Sequence, residues 1–338
     1  MVTGDAPLPR ELADALGRMG LAAPDQPVRA ERLTGGVSSE IWKVDTGGRA
    51  FCVKRALPKL QVADDWSVPV ERNLYERRWY ELADAKVPGC APQVLGHDDW
   101  RMLFAMSYLD PAEYPLWKPQ LAEGQVDLAF AAAVAADLAA IHAATAGDPL
   151  VAAGFQTGYL IEELRLDPYL RQAGRRHPDL ADRLEALADR TLETEKALVH
   201  GDVSPKNILV NAGRPIFLDA ECAWYGDPAF DPAFCLNHLL LKCHLATDAR
   251  AELLRAFDAF AGAYLDGVDW EPRAEIEARI ATLLPGLLLA RIDGKSPVEY
   301  IADDATRDRV RTVARALLQQ PVDTLAEVRA AWAESLQP

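Results

Sequence analysis

The segment HGDVSPKN, residues 200–207, combines an acid, an amide and a lysine within a few positions. Asp202 and Asn207 stand five positions apart in it, and the short apolar runs on either side predict a loop between strands. Transfer of a phosphoryl group to an alcohol needs a carboxylate that orients the hydroxyl and takes its proton, and groups that neutralise the phosphates. The spacing therefore predicts Asp202 as the catalytic base and Asn207 as a ligand of Mg²⁺, which prefers hard oxygen donors.

A second acidic segment, IFLDAE, follows at residues 216–221. An apolar strand that ends at an acid can present a carboxylate to the same cation, because Mg²⁺ is held by a few protein oxygens together with phosphate oxygens. We therefore predict Asp219 as the second metal ligand, with Glu221 assisting. One such acid could simply cap a turn, but the order H-G-D-x-x-x-x-N, strand, Asp is far more specific.

The elements that must position these residues fall into two parts. Strand-like runs separated by turns, and one helical pattern, predict a five-stranded antiparallel sheet with an inserted helix in residues 1–108. Helical periodicity dominates residues 109–338, including one long helix over 121–146, and short strands interrupt it only in 197–219. The predicted fold class is α+β, with an N-terminal lobe at 1–108 and a mainly helical catalytic and substrate lobe at 109–338.

Composition excludes several classes of protein. The chain has 338 residues with 51 acidic and 36 basic side chains, and this balance argues against a nucleic-acid partner, which would need a basic face. Its five scattered cysteines predict buried thiols rather than a disulfide framework or a zinc site. The beginning of the chain does not look like a secretory signal, and Asp137 and His142 interrupt the longest apolar stretch. We therefore expect a cytoplasmic protein with no membrane partner.

The catalytic and metal segments together resemble those of the aminoglycoside phosphotransferase and choline kinase family, which are relatives of protein kinases. The resemblance covers about residues 34–240. It implies a two-lobed protein-kinase-like fold, ATP and Mg²⁺ as cofactors, and a small-molecule acceptor. It also implies a nucleotide-binding lysine on the third strand, where Lys54 is the one candidate, and a glutamate on the next helix. Helical geometry alone leaves Glu71 and Glu76 open as that glutamate.

A closer resemblance, to the methylthioribose kinase branch, decides between these two acids. Residues 50–98 look like the N-terminal lobe of those kinases, and matching the landmarks selects Glu76 as the partner of Lys54. The pattern D-x-E-x-x-x-Y-G…F-D at 219–231 is also similar to that branch. Methylthioribose kinases are dimers, so the resemblance implies a homodimer here.

The resemblance also breaks at informative positions. The branch typically lacks the amide found at Asn207 and has a histidine where Ser204 stands. Near residue 290 it carries two arginines that help hold the sugar, whereas here Ala290 replaces the first and only Arg291 matches. The acceptor therefore stays open between a pentose and an amino sugar or another cation.

The remaining predicted contacts concern the nucleotide and the acceptor. The turn TGGVSS at 34–39 would cover the phosphates with backbone N–H groups and hydroxyls. Residues at the lobe junction would bond the adenine edge. The predicted nucleotide contacts are Ser38, Ser39, Ser107 and Tyr108, and the predicted acceptor contacts are Trp224, Tyr225 and Arg291.

Two alternative functions were weighed against a small-molecule kinase. A catalytically inactive kinase-like binding protein would be expected to have lost at least one residue of the catalytic set, which is complete here: Lys54, Glu76, Asp202, Asn207 and Asp219. A protein kinase would need a longer segment after Asp219 to hold a peptide. We therefore predict an ATP-dependent phosphotransferase acting on a hydroxyl of a small metabolite, a pentose such as methylthioribose or a related sugar. The alternative acceptors are an aminoglycoside, an amino sugar or choline.

Overall fold

The computed structural model describes residues 9–23, 26–33, 38–59 and 67–337, and it divides the chain into two compact units, Met1–Glu113 and Tyr114–Pro338. The predicted phosphate-covering turn lies largely outside the described residues, since 34–37 are not among them. Each unit is described below by itself.

The first unit is the predicted five-stranded antiparallel sheet, in the order β1-β2-β3-β5-β4, with helix α1 before it and helix α2 inserted in it. Its strands are β1 (Arg29–Leu33), β2 (Ser39–Asp45), β3 (Ala50–Ala56), β4 (Val94–Asp98) and β5 (Leu103–Ser107). Its helices are α1 (Arg10–Arg18), α2 (Arg72–Lys86) and one 3₁₀ turn (Asp99–Arg101).

Alternation along β3 decides which side chains reach α2. Phe51 and Val53 point to one face of the sheet and join the apolar core under α1, together with Leu12 and Leu16. Successive side chains of a strand point to opposite faces, so Lys54 lies on the other face. The strand therefore presents this lysine to α2.

The second unit is mainly helical. Its α-helices are α3 (Trp117–Ala122), α4 (Leu128–Thr145), α5 (Pro149–Gly154), α6 (Gly158–Ile161), α7 (Gln172–Arg176), α8 (Ala181–Glu193), α9 (Phe230–Lys242), α10 (Arg250–Asp266), α11 (Arg273–Asp293), α12 (Asp304–Gln319) and α13 (Leu325–Ser335). Short 3₁₀ turns lie at Pro178–Leu180, Pro205–Asn207 and Thr247–Ala249, and a π-helix spans Glu162–Arg171.

The prediction of one helix over 121–146 is wrong, because two helices, α3 and α4, occupy this region. Gly124 has φ +76°, a left-handed conformation that ends the first helix. Asp127 then caps the second helix by accepting hydrogen bonds from the backbone N–H groups of Ala129 and Phe130. Helix α4 is the one helix in the described part of the chain that has the length and hydropathy of a membrane span. Its buried face packs in the second unit against α10.

The strand island predicted at 197–219 is present as two small antiparallel ladders. The hairpin of β7 (Ile208–Asn211) and β8 (Arg214–Phe217) aligns Ile208 with Phe217. Strand β6 (Ala197–Val199) pairs with β9 (Trp224–Gly226). All five cysteines are buried, as the scattered spacing predicted.

Candidate active site

The β7–β8 hairpin brings the two predicted metal ligands to one end of the same ladder. The backbone N–H of Leu218 donates to the carbonyl oxygen of Asn207 at 2.8 Å, directly beyond the last paired residues of the strands. Asp219 follows with φ +67°, a left-handed conformation that is uncommon for a residue other than glycine. Such local strain is typical of functional sites, where the surrounding structure holds it in place.

Asp231 braces the loop that carries Asp202. Its carboxylate accepts hydrogen bonds from the backbone N–H groups of His200 and Gly201, each at 2.8 Å. Asp231 does not cap its own helix, because the N-cap position of α9 is Ala229 and the Asp231 carboxylate points to the loop instead.

Two residues next to Asp202 fix the path of the loop. Gly201 has φ +82°, and a Cβ atom there would lie 2.7 Å from the Cβ of Cys222, so only glycine fits. The Nδ1 atom of His200 accepts from the N–H of Asp202 at 3.1 Å, and its Nε2 donates to the carbonyl of Leu218 at 3.1 Å. This pattern defines a neutral imidazole, and burial lowers the pKa of His200 accordingly.

The carboxylate of Asp202 is 1 % exposed and is held on one of its two oxygens. Oδ2 lies 2.7 Å from Arg165 Nη2, 3.1 Å from Lys206 Nζ and 2.8 Å from Asn207 Nδ2. Oδ1 is buried and has no hydrogen-bond partner among the residues that the structure describes. Burial alone would raise the pKa of Asp202, but Arg165 and Lys206 outweigh it and hold this pKa below its ordinary value. The site thus contains an ionised carboxylate with one oxygen available for a ligand.

Sequence reasoning missed Arg165, which makes the closest charged contact of Asp202. Its guanidinium also donates to the carbonyl oxygens of Gly201 and Leu164. It comes from the π-helix, which contains Pro168 and is wider than an α-helix; such segments occur frequently at functional sites. Arg165 stands 36 residues before Gly201, so no local pattern could have linked it to the loop.

The residues around Asn207 fit a hard divalent cation. The amide nitrogen of Asn207 is used by Asp202, so its oxygen is the atom that could bind a cation. The charge of Asp219 acts on Asp202, so two neighbouring carboxylates repel each other there. Within the described ranges, no three His, Cys, Asp or Glu side chains converge as a ready-made metal site. A cation at this place would therefore depend on Asn207, Asp219 and the oxygens of its own ligand, as Mg²⁺ commonly does.

In the first unit, the predicted ion pair of Lys54 and Glu76 is present. Lys54 Nζ lies 2.7 Å from Glu76 Oε1, and the Tyr80 hydroxyl donates to the same oxygen at 2.7 Å. Helical spacing had left Glu71 open as the partner, and the structure places Glu76 of α2 against Lys54 of β3. Lys54 is only 3 % exposed.

The other predicted nucleotide residues of this unit lie on or beside its strands. Ser38 and Ser39 are buried at the start of β2, and Ser107 at the end of β5 accepts from the N–H of Gln93 at 3.1 Å. Lys43 Nζ lies 4.0 Å above the ring of Tyr108.

Sequence reasoning also missed Arg72 in the first unit. This fully buried arginine donates to the backbone carbonyl oxygens of Ser38 at 2.6 Å and Leu57 at 2.7 Å. It therefore fixes the backbone where β2 begins and where β3 has ended.

A cavity in the second unit brings Asp202 together with Arg291. Arg291 Nη1 donates to the hydroxyl of Tyr169 at 3.1 Å, and both residues line the cavity. Trp224 and Tyr225, predicted to line the acceptor site, do not line this cavity. Trp224 is buried in β9, and the hydroxyl of Tyr225 donates to the backbone carbonyl of Lys196 at 2.8 Å, so their role as acceptor contacts stays a prediction.

Comparison with known proteins assigns the class. The five-stranded sheet with its inserted helix and the helical second unit form an α+β fold of the protein-kinase-like type. The chain is similar to a choline/ethanolamine kinase family protein from Mesorhizobium loti, with a TM-score of 0.51 and 18 % identity over 95 % of this chain and 97 % of the other. It is also similar to an ethanolamine kinase from Plasmodium vivax, with a TM-score of 0.57 and 15 % identity over 90 % and 88 % of the two chains. The predicted fold class is confirmed.

The chain belongs to the phosphotransferase enzyme family (APH), whose sequence model matches residues 29–276. Among curated proteins it is similar to the methylthioribose kinase of Pectobacterium carotovorum, at 27 % identity over 252 residues. That match covers 66 % of this chain and 62 % of the relative. Across the curated relatives, the matches span 53–62 % of the relatives' own length. The predicted membership of the family is therefore confirmed.

Proposed function

We propose that this protein transfers the γ-phosphoryl group of ATP to a hydroxyl group of a small metabolite, with Asp202 as the catalytic base. The observation that carries the proposal is the buried, ionised carboxylate of Asp202, which is fixed through Oδ2 and leaves Oδ1 without a partner among the described residues. An isolated carboxylate oxygen in a buried cavity is costly unless a ligand supplies its hydrogen bond. A substrate hydroxyl is the donor that this arrangement suits.

The proposed reaction needs little covalent help from the protein. The acceptor hydroxyl donates to Asp202 Oδ1, its oxygen attacks the γ-phosphorus, and the bond from that phosphorus to the β–γ bridging oxygen breaks to release ADP. The hydroxyl proton passes to Asp202. Because Arg165 and Lys206 keep the pKa of Asp202 low, the carboxylate contributes mainly by orienting the hydroxyl, and it takes the proton late, as phosphoryl transfer allows.

The nucleotide and metal contacts follow the sequence predictions. Asn207, Asp219 and Glu221 would hold Mg²⁺, which when bound neutralises the charge on the phosphates. Lys54, held in place by Glu76, would contact the phosphates. Ser38, Ser39, Ser107 and Tyr108 keep their predicted roles beside the nucleotide.

For the acceptor, Arg291 supports a polar, hydroxyl-rich molecule of the pentose type, methylthioribose among them. A cationic acceptor such as choline or an amino sugar is less well supported, because four cationic side chains and two carboxylates line the described cavity. The chain as a whole is acidic, but the local charge decides what the cavity attracts. A cytoplasmic location and a homodimer remain part of the proposal.

The test is an assay of ADP formation with ribose, methylthioribose, glucosamine, choline and kanamycin as acceptors. Asp202→Asn keeps the volume of the side chain but removes the base, and it should lower acceptor-dependent kcat by about 10²–10⁴-fold. Asp266→Asn, the same change at an exposed surface ion pair of the second unit, should leave turnover unchanged. Acceptor-dependent turnover that survives Asp202→Asn would contradict the assignment.

A further inference from the structure

The cavity beside Asp202 has the opposite charge balance to the chain as a whole. The chain carries a net charge of −15, yet the side chains described around this cavity include four cations, Lys118, Lys206, Lys242 and Arg291, and only two carboxylates. A cavity with an excess of positive charge inside an acidic protein attracts anions at short range.

Lys242 is the most unusual of these cations. It lies on α9 in one stripe with Phe234 and His238, at the i, i+4 spacing that places side chains on one face of a helix. Lys242 is 1 % exposed, and its Nζ has no hydrogen-bond partner among the residues that the structure describes. Its described neighbour is the ring of Tyr300, whose centroid is 4.9 Å from Nζ. The Tyr300 hydroxyl is also buried without a described hydrogen-bond partner.

Neither carboxylate of the cavity forms a hydrogen bond with Lys242. Glu299 pairs with Lys118, and the held oxygen of Asp202 is shared by Arg165, Lys206 and Asn207. A buried ammonium group without a carboxylate partner is expensive to maintain. Burial and the charge of Lys118 lower the pKa of Lys242 to about 8, against the weaker opposing effect of Glu299.

Arg291 lines the same cavity from α11, and its hydrogen-bond partners are neutral groups. Its guanidinium donates to the Tyr169 hydroxyl and to Ser296, and it forms no ion pair with a described carboxylate. Arg291 and Lys242 both act on His238, whose pKa is lowered first by burial and then by these cations, so the imidazole between them is neutral. Both cations therefore line the cavity without a hydrogen-bonded carboxylate among the described residues, and Glu299, which pairs with Lys118, acts on them only through its charge.

We propose that the acceptor carries an anionic group, a carboxylate or a phosphate, which binds between Lys242 and Arg291 and receives a hydrogen bond from Tyr300, while its hydroxyl reaches Asp202. This inference rests on the proposed phosphotransferase function and narrows its acceptor from pentose-type molecules in general to acidic ones, which excludes neutral methylthioribose. One hydroxylated acid could pair with the ammonium group of Lys242, accept from the hydroxyl of Tyr300 and donate to Oδ1 of Asp202. A neutral sugar leaves Lys242 without a counter-charge, and a cation would be repelled.

The test compares three molecules that share a pentose skeleton: D-ribose, D-ribonate and D-ribose 5-phosphate. Their dissociation constants are measured by calorimetry with the full chain, without nucleotide, at pH 7. We expect ribonate or ribose 5-phosphate to bind at least about 30-fold more tightly than ribose, since removing one partner of a buried charge pair has effects of this size. The preferred anion distinguishes a carboxylate from a phosphate.

Four variants locate the site. Lys242→Met should remove the preference for the anion, and Lys242→Arg, which keeps the charge, should retain most of it. Tyr300→Phe removes a hydroxyl that the fold does not use and should weaken anion binding roughly 3- to 10-fold. Lys86→Met, the same change at an exposed lysine in the last turn of α2, should have no effect.

Two results would overturn the inference: equal binding of ribose and both anions, or a preference for anions that Lys242→Met leaves intact. These results are distinct from a failure of the proposed function. If ribose is phosphorylated with dependence on Asp202 but an anionic group adds nothing, the phosphotransferase stands and the anion site falls. If an anion binds through Lys242 but no acceptor supports ADP formation, the anion site stands and the proposed function falls.

Discussion

Two regions of the second unit treat buried charge in opposite ways. Around Asp202, the carboxylate has Arg165, Lys206 and Asn207 on one oxygen, and Arg165 also donates to backbone carbonyl oxygens. On the wall formed by α9, Lys242 is equally buried but has no hydrogen-bond partner among the described residues. The first region is built to hold a charge in place, whereas the second maintains a charge that only a ligand would satisfy. Proteins tolerate such local cost where function requires it.

The largest expected loss of stability comes from removing a charge partner of Asp202. Arg165→Met leaves Asp202 buried with only the half-exposed Lys206 as its cationic partner. Removing one partner of a buried ion pair should lower the free energy of unfolding by about 3–5 kcal/mol. Urea denaturation of the variant measures this difference. A loss below about 1 kcal/mol would mean that the ion pair of Arg165 and Asp202 stabilises the fold no more than a solvent-exposed ion pair does.

The first unit repeats the compensated arrangement in Lys54 and Glu76. Lys54→Met should cost about 3 kcal/mol, the lower end of the range for a buried pair, because Tyr80 still donates to the Glu76 carboxylate. The double variant Lys54→Met, Glu76→Gln should recover part of the loss, since it removes both charges of the buried pair. Denaturation of the two single variants and the double variant gives the coupling energy. Purely additive losses would show that the two side chains do not interact.

Removing the charge of Lys242, which has no hydrogen-bond partner among the described residues, should instead increase stability. Lys242→Met removes a buried charge without a partner and should raise the free energy of unfolding by about 1–3 kcal/mol at pH 7. Burial, and then the charge of Lys118, lowers the pKa of Lys242 in the folded protein from the ordinary 10.5 to about 8, and Glu299 opposes this only in part. The unfolded chain therefore binds more protons between these values, and wild-type stability rises with pH through that window.

The gain from Lys242→Met should accordingly be full below pH 8 and disappear as the pH approaches 10.5. Denaturation midpoints of both proteins at pH 7, 9 and 10.5 measure this convergence. A variant that is less stable than the wild type at pH 7 would show that Lys242 is compensated after all.

The smallest effect is expected at an exposed ion pair of the same unit. Arg175 and Asp167 lie within 2.5 Å of each other, with side chains that are 56 % and 44 % exposed. Solvent screens such pairs, so Arg175→Met should change the free energy of unfolding by less than about 1 kcal/mol. Urea denaturation of this variant gives the reference value against which the losses at the two buried ion pairs are compared. A larger loss here would remove the contrast between buried and exposed charges.

The sequence predicted well those features that depend on neighbours along the chain. Period-two and helical patterns located the strands of the first unit and most helices of the second, because side-chain direction follows local backbone geometry. The exception at 121–146 arose where Gly124 ends a helix inside an apolar stretch. The loop with Asp202 and Asn207 was likewise visible, since both residues stand on one short segment.

The choice of Glu76 needed more than the pattern of α2. Both Glu71 and Glu76 were open by helical spacing, and a resemblance over residues 50–98 selected Glu76. The structure pairs it with Lys54 because β3 and α2 pack face to face. The same packing buried Lys54, which the spacing of the residues alone could not indicate.

By itself, then, the sequence determined the order of the elements, the segments that carry Asp202, Asn207 and Asp219, and the class of chemistry they suit. Only the tertiary structure decided which charges are satisfied. Arg165 reaches Asp202 from a π-helix, and Lys242 and Arg291 meet at one cavity from α9 and α11. Desolvation and Coulomb energy depend on distances and burial in space, and residues far apart in sequence leave no local pattern that records them.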